Sequence, residues 1–180
     1  RTAVEQLNVG DLVWTRDAGA QPVRWLGHTS VVASSRFAPI VFDAMAIGNC
    51  MPLAVSPEHR MLLSGPNVSL LFGTEEVLVA AKYLLGLPGV HQRKGGIVDY
   101  HHLMLDAHQI VEGNGCLSES FFASKASMST MAAQEQANLF ARFPQLAVDV
   151  ATYGATAAQT LKAHEANVLV AHWPMPETLA

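Results

Sequence analysis

Two segments of the sequence decide the fold, and the first runs Val4-Glu-Gln-Leu-Asn-Val-Gly-Asp-Leu-Val-Trp-Thr-Arg-Asp-Ala-Gly-Ala-Gln-Pro-Val-Arg-Trp-Leu-Gly-His28. Residues 12–14 form a short apolar run after a turn-forming stretch, and Asp17-Ala-Gly19 supplies a second turn in which glycine tolerates a positive φ. Residues 22–26 then alternate apolar and polar side chains, as a half-buried strand does. This segment therefore predicts a β-hairpin.

The second segment is Val55-Ser-Pro-Glu-His-Arg-Met-Leu-Leu63. Its hydroxyl and imidazole, Ser56 and His59, can hydrogen-bond a peptide, distort it and protonate its nitrogen as the bond breaks. Histidine suits this task because its pKa lies near neutrality. The alternative is a polar pair at the end of a strand, with His59 bonded to backbone. For an isolated Ser-x-x-His that alternative is favoured.

Composition excludes several classes of protein. Half of the 180 residues are hydrophobic and 14% are charged, which excludes a disordered chain. The net charge is −4 and no basic stripe is present, so we expect no nucleic-acid partner. No apolar run approaches the ~20 residues that span a bilayer, and we expect no membrane insertion. The first residues have no signal-peptide character.

The cysteine count gives little information on compartment. Cys50 and Cys116 are too few for a disulfide framework. One bridge between them is an open alternative, although two ordinary thiols are favoured because cysteine is among the most buried residue types.

Strand patterns dominate the first two-thirds of the chain. Residues 60–63 and 68–72 flank a Ser-Gly-Pro-Asn turn and are expected to be strands, as are residues 98–105 and 108–112. A short helical segment is expected over residues 80–85, with Gly86 at its C-terminus. These patterns predict a β core over residues 1–122.

Composition changes after Phe122. Residues 127–143 are rich in helix formers and are expected to form a helix that Pro144 stops. A second helix is expected to start near Thr160, with one face formed by Leu161, Val168 and Leu169. Residues 123–180 are therefore predicted to be a helical appendage packed on the β core.

The two segments, together with Tyr100-His-His-Leu-Met-Leu-Asp-Ala-His-Gln-Ile-Val-Glu-Gly-Asn-Gly-Cys-Leu-Ser-Glu-Ser120, resemble a Hint domain. This self-processing module is shared by hedgehog C-terminal regions, inteins and bacterial intein-like proteins, and the likeness is closest to the bacterial Hint-like subgroup. The resemblance implies a mainly β, curled Hint-type fold in which the first and last strands lie close. The C-terminal helical appendage follows from the pattern alone.

The resemblance also implies a set of catalytic residues: Ser56, His59, Asp106 and His108. Ser56 stands where the family's Thr-x-x-His motif has threonine, and Asp106 and His108 fall on the polar pair that assists cleavage. All four are expected to converge in one shallow cleft. No cofactor and no metal ligand are implied.

The sequence departs from the family pattern at both ends. Glu119 and Ser120 stand where inteins place a His-Asn pair, and a serine hydroxyl cannot form the succinimide that releases a C-terminal flank. The family's Cys or Ser nucleophile is expected upstream of Thr2. We therefore do not expect the chain as given, which starts at Arg1, to process itself.

Three functional classes follow. The first is a self-processing domain whose full-length form cleaves its N-terminal junction by an N-to-S/O acyl shift and (thio)ester formation. It would be an autoproteolytic domain rather than a turnover enzyme, and its partner would be its own N-terminal flanking polypeptide. The second is a non-catalytic Hint-fold module that serves interaction or secretion in a bacterial secreted or surface protein, a localisation that the resemblance implies.

The third class is a metal-binding β domain. Its candidate ligands are His101, His102, His108, Cys116 and His59. Adjacent strand residues point to opposite faces, so His101 and His102 cannot easily share one ion. Hydrogen-bonded strand histidines are the favoured interpretation.

Overall fold

A computed structural model describes residues 2–173 of the chain. Its strands are β1 (Leu12–Thr15), β2 (Gly19–Pro22), β3 (Trp25–Val32), β4 (Ile40–Phe42), β5 (Leu53–Val55), β6 (Arg60–Ser64), β7 (Glu76–Ala80), β8 (Val90–Gln92), β9 (Ile97–Met104), β10 (Ile110–Gly113) and β11 (Cys116–Glu119). Its α-helices are α1 (Pro66–Phe72), α2 (Lys125–Thr130), α3 (Ala133–Arg142), α4 (Pro144–Val148) and α5 (Ala163–Ala171). Short 3-10 helices are formed by Val4–Gln6, Ser35–Phe37, Ala81–Leu84 and Val150–Tyr153.

The mainly β class with C-terminal helices is confirmed. Up to Phe122, α1 is the single α-helix of the described residues, whereas α2 to α5 all follow Phe122. The short helix predicted over residues 80–85 is present as the 3-10 helix Ala81–Leu84. Within residues 2–173, every helix is too short or too polar to span a bilayer.

The described chain separates into two compact units, each assembled from three stretches of sequence. The first contains the described residues up to Val32, Ile97–Glu112 and Glu119–Ala157. The second contains Ala33–Gly96, Gly113–Ser118 and the described residues from Ala158 onward. Strands and C-terminal helices occur in both units, and the division at residue 122 stays a prediction.

In the first unit, β1 and β2 form a hairpin, but its second strand is Gly19–Pro22 rather than the predicted residues 22–26, because Trp25 and Leu26 begin β3. Trp14 lies opposite Ala20 in this antiparallel pair, and β10 lies on the other side of β1, with Thr15 opposite Val111. The first strand of the chain is thus beside one of the last. β3 and β9 form a separate two-stranded ribbon that runs in register over eight pairs, from Trp25↔Met104 onward.

The core of the first unit forms around the Trp25 indole, which is 4% exposed. Its cross-strand partner Met104 is fully buried, and the Phe121 ring lies 5.5 Å from the Trp25 ring between centroids. Helix α3 lies against β3. The C-terminal helices complete this core with Met128, Leu139, Phe143, Leu146 and Tyr153.

In the second unit, the core packs on two groups of three antiparallel strands. β4 lies between β5 and β8, and β6 lies between β11 and β7. Phe42 of β4 and Met61 of β6 are both fully buried, as is Leu169 of α5. The outer edge of β7 is covered where the Leu78 N–H donates to the Gln159 carbonyl at 2.7 Å.

Residues 68–72 form a helix, so the prediction of a strand there is wrong. The residues on either side of this apolar run, Pro66 and Gly73, determine that it is helical. Pro66 occupies the first turn of α1, where its missing N–H costs nothing. Gly73 closes the helix in the left-handed region at φ 67°, and its N–H donates to Ser69 O at 3.0 Å.

The tail differs from its prediction in two places. Residues 127–143 are divided between α2 and α3 because Met131 and Ala132 are extended. The Thr130 hydroxyl donates to the Ser127 carbonyl at 3.1 Å, a local bond that competes with helix continuation. The predicted second helix begins at Ala163, so Leu161 precedes α5 and is not part of its face. Within α5, Leu169 is fully buried but Val168 is 44% exposed, so the predicted apolar face is wrong at Val168 as well.

The close packing of Trp25 over Gly27 generates a stability prediction. A Cβ at position 27 would come within 2.7 Å of Cζ2 and 2.9 Å of Cζ3 of the Trp25 ring. Gly27→Ala must therefore displace a buried indole, and we expect it to lower the free energy of unfolding by about 1–3 kcal/mol. Urea unfolding of both proteins measures the difference.

Gly113→Ala is the matched control. A Cβ at Gly113 would meet nothing within 4 Å among the described residues, and its backbone φ is ordinary. We expect this variant to stay within about 0.5 kcal/mol of the parent. Equal effects of the two substitutions would show that the indole does not constrain position 27.

Candidate functional site

Ser56 and His59 lie in the second unit, at the two ends of the turn that joins β5 to β6. The His59 N–H donates to the Ser56 carbonyl at 3.1 Å, which closes the turn. Both residues are partly buried, whereas Pro57 between them is buried. The spacing of the Ser-x-x-His motif is therefore the spacing of one tight turn.

This turn is anchored to the segment that follows β7. The Ala81 N–H donates to the His59 carbonyl at 2.9 Å, and the Lys82 N–H donates to the Pro57 carbonyl at 3.0 Å. The Lys82 ammonium also contacts Glu58, with Nζ 2.5 Å from Oε1. Two main-chain hydrogen bonds and one ion pair thus hold the turn that contains Ser56 and His59 in place.

Asp106 lies in the first unit and is exposed. Its Oδ2 accepts from Arg24, at 2.9 Å from Nε and 2.8 Å from Nη2. The two side chains stand at a cavity of about 410 Å³, which is also lined by Val9, Gly10, Val23, Arg142 and Phe143. Asp106 is therefore a hydrogen-bond acceptor at a solvent-accessible cavity, where it already accepts from the Arg24 guanidinium group.

His108, also in the first unit, has a side chain that is 0% exposed. Its Nε2 lies 3.1 Å from Oε2 of Glu119, and its Nδ1 accepts the Ala157 N–H at 2.8 Å. A backbone N–H can only donate, so Nδ1 carries the lone pair and the ring proton is on Nε2. His108 is therefore a neutral imidazole that donates to the Glu119 carboxylate.

Ser120 is buried beside this pair and forms two hydrogen bonds with the backbone of Gln109. Its Oγ accepts the Gln109 N–H at 3.0 Å, and its own N–H donates to the Gln109 carbonyl at 2.8 Å. The Ser120 hydroxyl therefore serves as a buried acceptor. In the same unit, the phenol of Tyr153 donates to the Leu105 carbonyl at 3.1 Å, and burial raises the pKa of this phenol.

The four predicted site residues are distributed over the two units, and their partners are known within each unit. Asp106 and His108 belong to one unit but contact different partners, Arg24 for the first and Glu119 for the second. Ser56 and His59 belong to the other unit. The convergence of all four in one cleft stays a prediction.

The metal-ligand candidates are dispersed. Within residues 2–173, no group of three or more His, Cys, Asp and Glu side chains is arranged to hold a metal ion. The His102 ring lies against Phe121, with centroids 5.1 Å apart, and the Cys116 thiol donates to the Gly113 carbonyl at 3.2 Å. Cys116 is buried and Cys50 is exposed, and within residues 2–173 neither forms a disulfide bond.

The sequence did not predict three hydrogen-bonding groups near the candidate residues: the Arg24 guanidinium, the Tyr153 phenol and the Ala157 N–H. Arg24 is 82 residues from Asp106, and the Ala157 N–H is 49 residues from His108. No local pattern relates residues at such separations. The only sequence signal was the polar position of Arg24 within an otherwise alternating strand pattern.

In a comparison with known families, the family model described as a Hint domain matches residues 1–125 of the chain. No curated protein and no solved structure matches the chain.

The buried His108–Glu119 pair generates a second stability prediction. Glu119→Ala leaves the Nε2–H of His108 without its acceptor in a buried site, and we expect the free energy of unfolding to fall by about 1–3 kcal/mol. Glu119→Gln keeps a carbonyl oxygen that can accept the same proton, so its loss should be smaller. Denaturant unfolding at neutral pH compares the three proteins, and equal losses for Ala and Gln would contradict the hydrogen-bond assignment.

Proposed function

The chain belongs to the Hint domain family, and from this premise we propose that it is a self-processing domain. In its full-length form it would cleave its own N-terminal junction by an N-to-S or N-to-O acyl shift. The observation that carries the proposal is the family match over residues 1–125, which includes Ser56, His59, Asp106 and His108. Its substrate would be the polypeptide that precedes the domain.

The proposed reaction is an isomerisation followed by a transfer. A Cys thiol or Ser hydroxyl attacks the carbonyl carbon of the peptide bond before it, a C–S or C–O bond forms, and the C–N bond breaks. The leaving nitrogen takes a proton from His59, and His59 is restored by the proton that the attacking nucleophile loses, while the Ser56 hydroxyl hydrogen-bonds the strained peptide. A second nucleophile, such as water or a thiol, then accepts the acyl group.

The fixed turn between β5 and β6 supports this assignment of Ser56 and His59. General acid catalysis needs the donor at hydrogen-bond distance from a defined atom, and a turn anchored at the Pro57 and His59 carbonyls limits backbone motion. The His59 side chain is only partly buried. It is therefore accessible to a peptide and to solvent protons.

We propose different roles for the other two residues. Asp106 is exposed at a cavity and can accept a hydrogen bond from a bound segment. His108 uses both ring nitrogens within the protein, which supports a positioning role rather than proton transfer. Cleavage at the C-terminal side is not part of the proposal because Ser120 cannot cyclise.

The test requires the native residues upstream of Thr2, where the resemblance places the nucleophile. We expect slow cleavage on the N-terminal side of that Cys or Ser, accelerated by hydroxylamine or a thiol, which intercept a (thio)ester. Residues 1–180 by themselves should remain intact. His59→Ala should slow cleavage about 100-fold or more, the effect of removing a general acid. Intact-mass spectrometry over several days measures each rate.

His91→Ala is the matched control, since this exposed histidine lies in the same unit and outside the Ser-x-x-His turn. It should cleave at the parent rate, and Ser120→Ala should also leave N-terminal cleavage intact. An uncleaved extended protein, or cleavage that His59→Ala does not slow, would instead favour a non-catalytic Hint module that serves interaction or secretion. A bacterial, secreted or surface setting also remains a proposal.

A further inference from the structure

The β3–β9 ribbon carries a cluster of polar side chains on one face. His28 lies opposite His101, and Ser30 lies opposite Asp99. Residues two apart in a strand point to the same side, so all four side chains share one face. His28 and Asp99 have side chains that are 53% and 55% exposed, which leaves this face accessible to small solutes.

A chain of hydrogen bonds orients the His28 ring. The Ser30 hydroxyl donates to Oδ1 of Asp99, and the same oxygen lies 3.2 Å from Nε2 of His28. Oδ1 of Asp99 therefore accepts the Ser30 hydroxyl and also faces the Nε2 edge of the His28 ring. When Nε2 carries the ring proton, it donates to this oxygen, and the lone pair of the ring is on Nδ1.

The second imidazole stands next to the first. The ring centroids of His28 and His101 are 5.0 Å apart, with an angle of 41° between the planes. Two nitrogens that ligate one tetrahedral ion at about 2.0–2.1 Å lie about 3.3 Å from each other. The pair, with His28 exposed and His101 half-buried, therefore needs only side-chain rotation to bring one nitrogen of each ring toward that separation.

We propose that His28 and His101 bind one divalent first-row transition ion, such as Cu²⁺, Ni²⁺ or Zn²⁺. The ion would have two imidazole ligands, and water would fill its remaining positions. Asp99 would accept a hydrogen bond from the N–H of the other ring nitrogen of His28, the arrangement by which carboxylates orient metal-binding histidines in proteins. The site is independent of the proposed self-processing reaction, since none of its residues takes part in that scheme.

The relative affinities follow from ligand chemistry. Imidazole suits Cu²⁺, Ni²⁺ and Zn²⁺, and Cu²⁺ is bound most tightly in the general order for divalent ions. Because only neutral imidazole binds, the affinity should be lower in acid than at pH 7.5. Mg²⁺ and Ca²⁺ prefer oxygen ligands and should not compete.

The experiment titrates the metal-free chain of residues 1–180 with CuCl₂, NiCl₂ and ZnCl₂ by isothermal titration calorimetry at pH 7.5. We expect one site that His28→Ala and His101→Ala each weaken by about tenfold or more. Asp99→Asn should weaken it by about 10–100-fold, the usual effect of losing the carboxylate behind a metal-bound histidine. Circular dichroism checks that each variant is folded.

His91→Ala is the matched control for exposure and charge. His91 is also 53% exposed and has a carboxylate nearby, with Nδ1 3.8 Å from Oδ1 of Asp43. Within residues 2–173, no ring contact joins it to a second imidazole, so this variant should keep the parent affinity. A loss in His91→Ala that matches the loss in His28→Ala would overturn the proposal.

A second measurement locates the ion directly. Substoichiometric Cu²⁺ should broaden the side-chain NMR resonances of His28 and His101 before those of the other six histidines among the eight in the chain. Uniform broadening, or saturation that appears only at millimolar metal, would also reject the site. This readout does not depend on cleavage, so failure of the self-processing proposal leaves it unaffected.

Discussion

The first unit is organised around an imidazole that has no access to water, since the His108 side chain is 0% exposed. A buried polar ring costs free energy unless both nitrogens have hydrogen-bond partners. Glu119 and the Ala157 N–H provide them, from positions 11 and 49 residues along the chain. Satisfying this one side chain therefore joins the segment before β10, the end of β11 and the segment that follows Tyr153.

The predictable part of the fold is the part that local sequence determines. The β1–β2 hairpin, strand β6 and the 3-10 helix Ala81–Leu84 follow from turn residues and short apolar runs that lie next to each other in the chain. Residues 68–72 show the limit, because a five-residue apolar run fits a strand or a helix equally well. Pro66 and Gly73 decide that case, since the first suits a helix start and the second a helix end.

The candidate site was predictable only in its local component. Ser56 and His59 form one turn, so their relation is visible in a four-residue window. The Arg24–Asp106 pair spans 82 residues, and no periodicity connects such positions. The family resemblance assigned His108 to an assisting role but did not indicate its burial. Burial depends on how Phe122 and the C-terminal segment pack around the ring, with centroids of His108 and Phe122 5.0 Å apart.

The family resemblance implies a catalytic residue at position 120, directly after β11, whereas Ser120 has a structural role in this chain. An asparagine cyclises through its amide nitrogen, and Ser120 has no such atom. Its Oγ instead accepts a hydrogen bond from the Gln109 N–H, and the neighbouring Glu119 carboxylate accepts one from the His108 ring N–H. An asparagine at position 120 would bring two further N–H donors into a site that is 2% exposed, and each would need an acceptor. Restoring the amide alone therefore does not restore the C-terminal step. The proposed N-terminal acyl shift uses neither Glu119 nor Ser120, so that proposal does not depend on a C-terminal step.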